Sequence, residues 1–230
     1  MSTPTAPAPR SAALTARAIS FSYGDTPVLC DVTLEVGRGE IVAIVGPSGA
    51  GKSSLLLCLC GLLVPQRGEV VVGDVNMSQA PTRTRDRVRR SHCGFVFQFG
   101  ELVPELTLVE NVALPLRLTG TGARDSIERA RLQMEALGIG ELADKPVDAV
   151  SGGELQRAAI GRALVHNPAV VLADEPSGAL DEENARVVID QLVEHARRKQ
   201  AGVVVVTHES WLAARADRQI RISGGRLVPA

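Results

Sequence analysis

An α/β fold, with a parallel sheet covered by helices on both faces, is what the sequence predicts. Three segments carry that reading: Ile41 to Val45, Ala169 to Ala173 and Gly202 to Val206 are continuous apolar runs rich in β-branched residues. Each stops abruptly at a glycine, acid or hydroxyl residue, and helix-length segments separate them. Strands of this kind do not alternate apolar with polar positions, so they belong inside a parallel sheet rather than on a half-exposed one.

The chain has 230 residues, 45% hydrophobic and 22% charged, which excludes disorder and collagen. A folded surface of roughly 10,000 Å² against about 35,000 Å² for the open chain leaves about 70% buried, enough for a substantial core. With 25 Lys+Arg against 26 Asp+Glu the net charge is −1, so no nucleic-acid partner is expected from electrostatics over the whole surface. The longest apolar stretch, Leu55 to Val64, is interrupted by Gly61 and far shorter than the roughly eighteen residues a spanning helix needs. Residues 1–13, rich in Pro, Ala, Ser and Thr, read as a flexible tail and not as a secretory signal. Cys30, Cys58, Cys60 and Cys93 lack metal-ligand spacing and read as reduced core thiols.

Residues 14–230 read as a single domain. Leu14 to Val36 alternates loosely around Gly24 and Pro27, which predicts a short antiparallel region. Ile41 to Val45 is followed by a glycine-rich turn and a helix-length stretch from Lys52 to Leu63. Between Gln98 and Asn167 the character changes: Thr107 to Leu118 and Arg124 to Leu137 are helix-like, the second stopped by Gly138, with no convincing strand. Glu182 to Lys199 opens on two acids and closes on three basic residues, the arrangement a helix dipole favours. Gln219 to Val228, around Ser223-Gly224-Gly225, reads as a hairpin.

The loop after the first buried strand carries the chemistry. Gly46, Pro47, Ser48, Gly49, Ala50, Gly51, Lys52 and Ser53 match G-x-x-x-x-G-K-[ST], with Ser54 following at the start of a helix. Glycines let consecutive N–H groups approach phosphate oxygens, and the helix N-terminus adds its positive end. Lys52 supplies a point charge to the β- and γ-phosphates, and the Ser53 hydroxyl suits Mg²⁺. Asp174 and Glu175 end the second buried strand, where parallel sheets bind ligands. Asp174 is suited to the Mg²⁺ shell and Glu175 to polarising an attacking water. Taken together, the two motifs say nucleoside triphosphate and no more.

Ser151-Gly152-Gly153-Glu154 narrows the field. A capping box accounts for Ser151 and Glu154, but not for two glycines in a first turn, each costing about 1 kcal/mol against Ala. Bare backbone at a helix start suggests a second anion site, and aiming both sites at one γ-phosphate calls for a second copy of the chain.

In order along the chain stand the glycine loop, Gln98 after Gly94-Phe-Val-Phe, Ser151 to Glu154, the acid pair, Ser177-Gly-Ala-Leu-Asp181, and His208 after Val203 to Thr207. The set resembles the ATP-binding cassette ATPases over residues 14 to 228. That resemblance implies a P-loop NTPase (RecA-like) core, residues 14–98 and 168–230, with an antiparallel β subdomain, and an inserted helical subdomain, residues 99–167. It implies a head-to-tail homodimer holding two ATP, each between the glycine loop and acids of one copy and Ser151, Gly152, Gly153 and Glu154 of the other. By the same resemblance Tyr23 stacks on adenine, Gln98 contacts Mg²⁺ and water, His208 contacts the γ-phosphate, and Asp181 belongs to the nucleotide-binding set. Catalysis falls to Glu175, His208 and Gln98, and the metal to Ser53, Gln98 and Asp174.

Val150 departs from the Leu usual before the signature, and Glu154 from the Gln of many members. Residues 98 to 118 and Asp174-Glu-Pro-Ser-Gly-Ala-Leu-Asp181 look like the branch that serves lipoprotein release, macrolide and antimicrobial-peptide export, and cell division. The implied partners are transmembrane permease subunits on a separate polypeptide, which would hold this chain at the cytoplasmic, inner face of the cell membrane. A purely regulatory subunit of such a complex, without transport, is the alternative. The basic run Arg83, Arg85, Arg87, Arg89 and Arg90 reads as a solvated charged face or as a contact for lipid headgroups or an acidic partner.

Overall fold

The computed structural model describes residues 12–178 and 180–229. In chain order the strands are β1 (Ala12–Tyr23), β2 (Thr26–Gly37), β3 (Ile41–Val45), β4 (Arg67–Val72), β5 (Val75–Asn76), β6 (Cys93–Val96), β7 (Val170–Asp174), β8 (Gly202–Thr207), β9 (Arg218–Ser223) and β10 (Arg226–Pro229). The α-helices are α1 (Lys52–Leu59), α2 (Thr82–His92), α3 (Leu108–Leu118), α4 (Ala123–Ala136), α5 (Gly152–Leu164), α6 (Glu182–Lys199) and α7 (Ser210–Ala213).

Six strands form the central sheet in the order β10-β9-β3-β8-β7-β6. Its four inner pairings are parallel, and only the β9–β10 hairpin is antiparallel. Because side chains alternate along a strand, each core strand feeds two cores. Val42, Ile44, Leu172, Val204 and Val206 enter the one that holds α1. Ile41, Ala43, Val171, Val203 and Val205 enter the other, with α3 to α6. Both faces are dry, as the unbroken apolar runs require.

A second, antiparallel sheet, β2-β1-β4-β5, closes the α1 side. A short antiparallel region was expected over Leu14 to Val36, and β1 and β2 form a long antiparallel pair there, from Ala12↔Gly37 to Tyr23↔Thr26. β4 and β5 were not anticipated, because Arg67, Gly68 and Glu69 fill the first half of β4 and leave only Val70 to Val72 as an apolar run. Residues 1–11 of the expected tail lie outside the described residues, whereas Ala12 and Ala13 belong to β1, where pairing with β2 and burial of the Ala13 methyl recruit them.

Two other expectations change at their edges. The helix after the glycine loop ends at Leu59 and not Leu63, because the Leu62 and Leu63 amides both fold back onto the Leu57 carbonyl. The arginine run lies on α2, whose only buried residue is Val88, so no apolar stripe betrayed a helix. There Arg85 donates to the Ala80 carbonyl (2.8 Å) and Arg89 to Asp86 (2.6 Å), while Arg83, Arg87 and Arg90 point to solvent. Three of the four cysteines are buried, and all four are free thiols. Burial pushes the Cys58 thiol up to about 12, which keeps it protonated and inert at neutral pH.

Candidate active site

The glycine loop joins the carboxyl end of β3 to α1. Gly51 caps that helix with φ 95°, a backbone that only glycine adopts without strain. Gly46 is required for a different reason: a Cβ there would lie 2.6 Å from the Ile222 carbonyl of β9. The close approach sets the loop directly on the sheet. Lys52 folds back over it, donating to the carbonyls of Gly46 (2.9 Å) and Pro47 (3.2 Å), with its ammonium 3.8 Å from Glu175.

β7 and β8 deliver the acids and the histidine. Glu175 has φ 44°, a left-handed conformation that disfavours any residue with a Cβ, and its amide is pinned to the Val206 carbonyl at 3.0 Å. One carboxylate oxygen faces Lys52; the other accepts from His208 Nδ1 at 3.0 Å and from the His208 amide at 3.3 Å. A neutral His208 in this pose therefore carries its proton on Nδ1. The adjoining segment is tied separately: Ser177 Oγ donates to Glu209, whose amide in turn donates to Thr207 Oγ1 at 3.0 Å.

These groups surround one cleft of about 660 Å³. Tyr23, Ser48, Gly49, Gly51, Lys52, Ser53, Ser54, Gln98, Asp174, Glu175 and His208 line it, while Gly46, Pro47 and Ala50 complete the loop beneath. Tyr23 is half exposed, its ring edge-on to Phe21 at 4.9 Å. Ser151, Gly152, Gly153, Glu154 and Asp181 do not line the cleft. They sit together elsewhere: Ser151 and Glu154 make the full capping box of α5, Asp181 caps α6 through the Asn184 amide at 2.9 Å, and a Cβ on Gly153 would lie 3.6 Å from the Asn184 side chain. Hydrogen bonds from the Ser151 amide and hydroxyl hold the Glu154 carboxyl below its usual range.

Residues 29–178 match the family model described as ABC transporter. The chain belongs to the ABC transporter ATPase family. The lipoprotein-releasing system ATP-binding protein LolD of Xanthomonas oryzae pv. oryzae is 41% identical to it over 96% of this chain and 92% of LolD. An uncharacterized ABC transporter ATP-binding protein of Mycobacterium tuberculosis is 40% identical over 92% of this chain and 86% of its own length. Among solved structures, the dimeric cassette MJ0796 in a post-hydrolysis state bound to ADP and Pi superposes with a TM-score of 0.84 at 32% identity, over 93% of this chain and 96% of that one.

For an ABC ATPase the donor set of the cleft is consistent. Ser53 and Asp174 present hard oxygen donors beside the loop, the kind Mg²⁺ prefers when phosphate oxygens complete its shell. Among the described residues no cluster of three or more His, Cys, Asp or Glu is placed to hold a metal. Burial raises the Asp174 pKa, opposed by the Ser53 hydroxyl, raised again by Glu175 and opposed by Lys52. The sign matters. A carboxyl with a raised folded-state pKa binds more protons folded than unfolded, so its contribution to stability falls as pH rises from the ordinary Asp range through the raised value. Asp174→Asn is therefore expected to raise the nucleotide-free melting temperature at neutral pH by a few degrees at most, and to give no gain in acid. Melts in a chelator at both pH values check it; an equal gain at both would place the effect elsewhere.

Sequence reasoning missed the residues that brace the cleft. Gln156, buried in α5, donates to the Phe97 carbonyl (3.0 Å) and the Pro176 carbonyl (2.9 Å), joining the helical insertion to the segments on either side of the sheet end. Arg162, two turns on, donates to the carbonyls of Gly100 (2.7 Å) and Glu101 (2.8 Å). Nothing in local pattern marks these side chains, since their partners are backbone carbonyls distant in sequence, 20 residues away for Pro176 and 59 to 62 for the others. Phe97, Phe99 and Glu101 also line the cleft and were likewise unmarked.

Proposed function

We propose that this ABC ATPase works as a head-to-tail homodimer with two ATP and two Mg²⁺ between the copies, seated by separate permease subunits on the cytoplasmic face of the cell membrane. One observation carries the reading. The cleft supplies a phosphate cradle, Lys52 and both acids, yet the glycine turn Ser151 to Gly153 and Asp181 lie off it, grouped on one face as a second set able to meet a nucleotide held by another copy.

In that arrangement Tyr23 stacks on the base, the amides of residues 48 to 54 and the Lys52 ammonium hold the phosphates, and Glu175, oriented by its pinned backbone and by His208, draws the proton from the attacking water. Ser53, Asp174 and Gln98 would hold Mg²⁺. Bound there, the ion neutralises charge on the β- and γ-phosphates. Glu154, already spent on the capping box, fixes the Ser151 turn rather than touching the phosphate itself. Gln156 and Arg162 tie the segment around Gln98 to α5, so closure of the dimer around ATP would move the helical subdomain, and its exposed Phe99 and Leu118 would carry the movement to the permease. The LolD relatives favour lipoprotein export or a similar outward-directed task over regulation without transport.

The reading is tested by the concentration dependence of turnover. At low protein concentration and saturating MgATP the ATPase rate is expected to rise with the square of protein concentration; a rate strictly proportional to concentration, from a chain shown to be monomeric, overturns it.

A further inference from the structure

β7 and β8 pair from Val170↔Gly202 to Asp174↔Val206, and the Glu175 amide on the Val206 carbonyl, at 3.0 Å, ends their contact. Beyond that point two loops run on beside each other, residues 175–178 and 207–209. Two side-chain contacts join them. One is the bond between His208 and Glu175, two groups to which the proposed reaction gives other work. The other runs from Ser177 Oγ to the Glu209 carboxylate, and the proposed reaction uses neither.

The second contact is not an ordinary surface pairing. Ser177 is 1% exposed, so its hydroxyl depends on a protein partner and not on water. Glu209 stands at the N-cap of α7, yet its side chain makes no bond to that helix and reaches instead to Ser177, 32 residues earlier. Its own backbone is fixed, since its amide donates to Oγ1 of the buried Thr207 at 3.0 Å. A hydroxyl donating to a carboxylate is also a charge-assisted bond, roughly twice as strong as a neutral one.

The residues on either side of Ser177 show what the bond controls. A Cβ on Gly178 would lie 2.8 Å from Gln98 Nε2, so the backbone there is pressed against the Gln98 side chain. On the other side stand Pro176, whose carbonyl accepts from Gln156 at 2.9 Å, and Glu175 with its left-handed φ of 44°. A neutral imidazole carries one N–H, so a His208 that donates it to a γ-phosphate withdraws it from Glu175. Among the described residues, the Ser177–Glu209 bond is then the side-chain tie left between the two loops.

We infer that Glu209 is a positioning residue for ATP hydrolysis. By accepting from Ser177 it holds residues 175–178 in register with the His208 loop, and so keeps Glu175 and Gln98 aimed while His208 is engaged with phosphate. The inference rests on the roles proposed above for Glu175, Gln98 and His208.

Turnover and equilibrium binding of a non-hydrolysable ATP analogue with Mg²⁺ test it on the full chain, at a temperature well below each variant's melting transition. The variants are Ser177→Ala, Glu209→Ala, both together, and Glu209→Gln. Displacing a catalytic group by about 1 Å costs up to roughly a hundredfold, so each Ala variant is expected to lose about ten- to a hundredfold in kcat, with analogue affinity within about threefold of the parent. The double variant should be no slower than the slower single one, as the two ends of one contact require. Glu209→Gln keeps an acceptor oxygen and the side-chain length, and is expected to recover most of the rate; with Ser177→Ala it decides the case if Glu209→Ala does not fold. Three results overturn the inference: Ala variants with lowered melting temperature but parent kcat, losses that multiply in the double variant, or Glu209→Gln as slow as Glu209→Ala. Glu175→Gln, run alongside, separates this inference from the reading beneath it. If that variant loses turnover while the Ser177 and Glu209 variants keep theirs, only the positioning role falls; if it keeps parent turnover, the assignment of the base falls and the positioning role with it.

Discussion

Glu175→Gln is expected to lower kcat by about 10²–10⁴, the range general-base removal commands, while ATP still binds and holds two copies together. Gln matches Glu in volume and keeps the amide-to-Val206 bond that fixes the strained backbone at this position, so the loss isolates the carboxylate. The side chain is mostly buried, 3.8 Å from Lys52 and 3.0 Å from His208 Nδ1, so its charge is opposed by neighbours rather than by water. Removing that charge leaves the Lys52 ammonium bonded to the Gly46 and Pro47 carbonyls but without its internal counter-charge, which favours the anionic γ-phosphate in the same space. Size-exclusion chromatography with and without MgATP, beside steady-state turnover, makes the check. A Gln variant that stays monomeric under saturating ATP, or turns over at the parent rate, removes Glu175 from the role of base.

The sheet was legible because its strands carry their own signature. β3, β7 and β8 are buried on both faces, so each reads as an uninterrupted apolar run whichever way it is oriented. α6 was legible to the residue, since the early acids, the late bases and the stripe through Val188, Leu192 and Ala196 all agree, and the structure adds Asp181 as its cap. β4 and α2 were not. β4 owes its place to pairing with β1, a long-range contact between Arg17↔Glu69 and Leu14↔Val72 that its own residues do not announce. α2 buries a single residue and is held by backbone and charge.

The cleft divides in the same way. Glycine, lysine and acids stood out because phosphate chemistry demands those types at those spacings, and the fold gathers Gly46 to Ser54, Gln98, Asp174, Glu175 and His208 about one cleft. The supports were not, because Gln156 and Arg162 act on main-chain carbonyls, which every residue possesses. A contact whose partner is generic leaves no trace in the partner's identity.

Lys52 is where the chain's own habits give a second prediction. Only three of its 25 basic residues are Lys, so arginine is used wherever either would serve. At position 52 the ammonium donates to two carbonyls of one tight loop, Gly46 and Pro47, and approaches a carboxylate from a third direction. Three donors spread tetrahedrally on one nitrogen satisfy that geometry, whereas the planar, longer guanidinium fork does not. Lys52→Ala is therefore expected to weaken ATP binding by more than about a hundredfold, since two charge-assisted contacts to phosphate at roughly 1.5–3 kcal/mol each are lost. Lys52→Arg should lose a comparable factor despite keeping the charge. Equilibrium nucleotide binding measures both, and thermal melts distinguish loss of the contact from loss of the fold. If Lys52→Arg binds ATP as the parent does, charge alone suffices at this position, and the compact ammonium held between two loop carbonyls is not what selects lysine here.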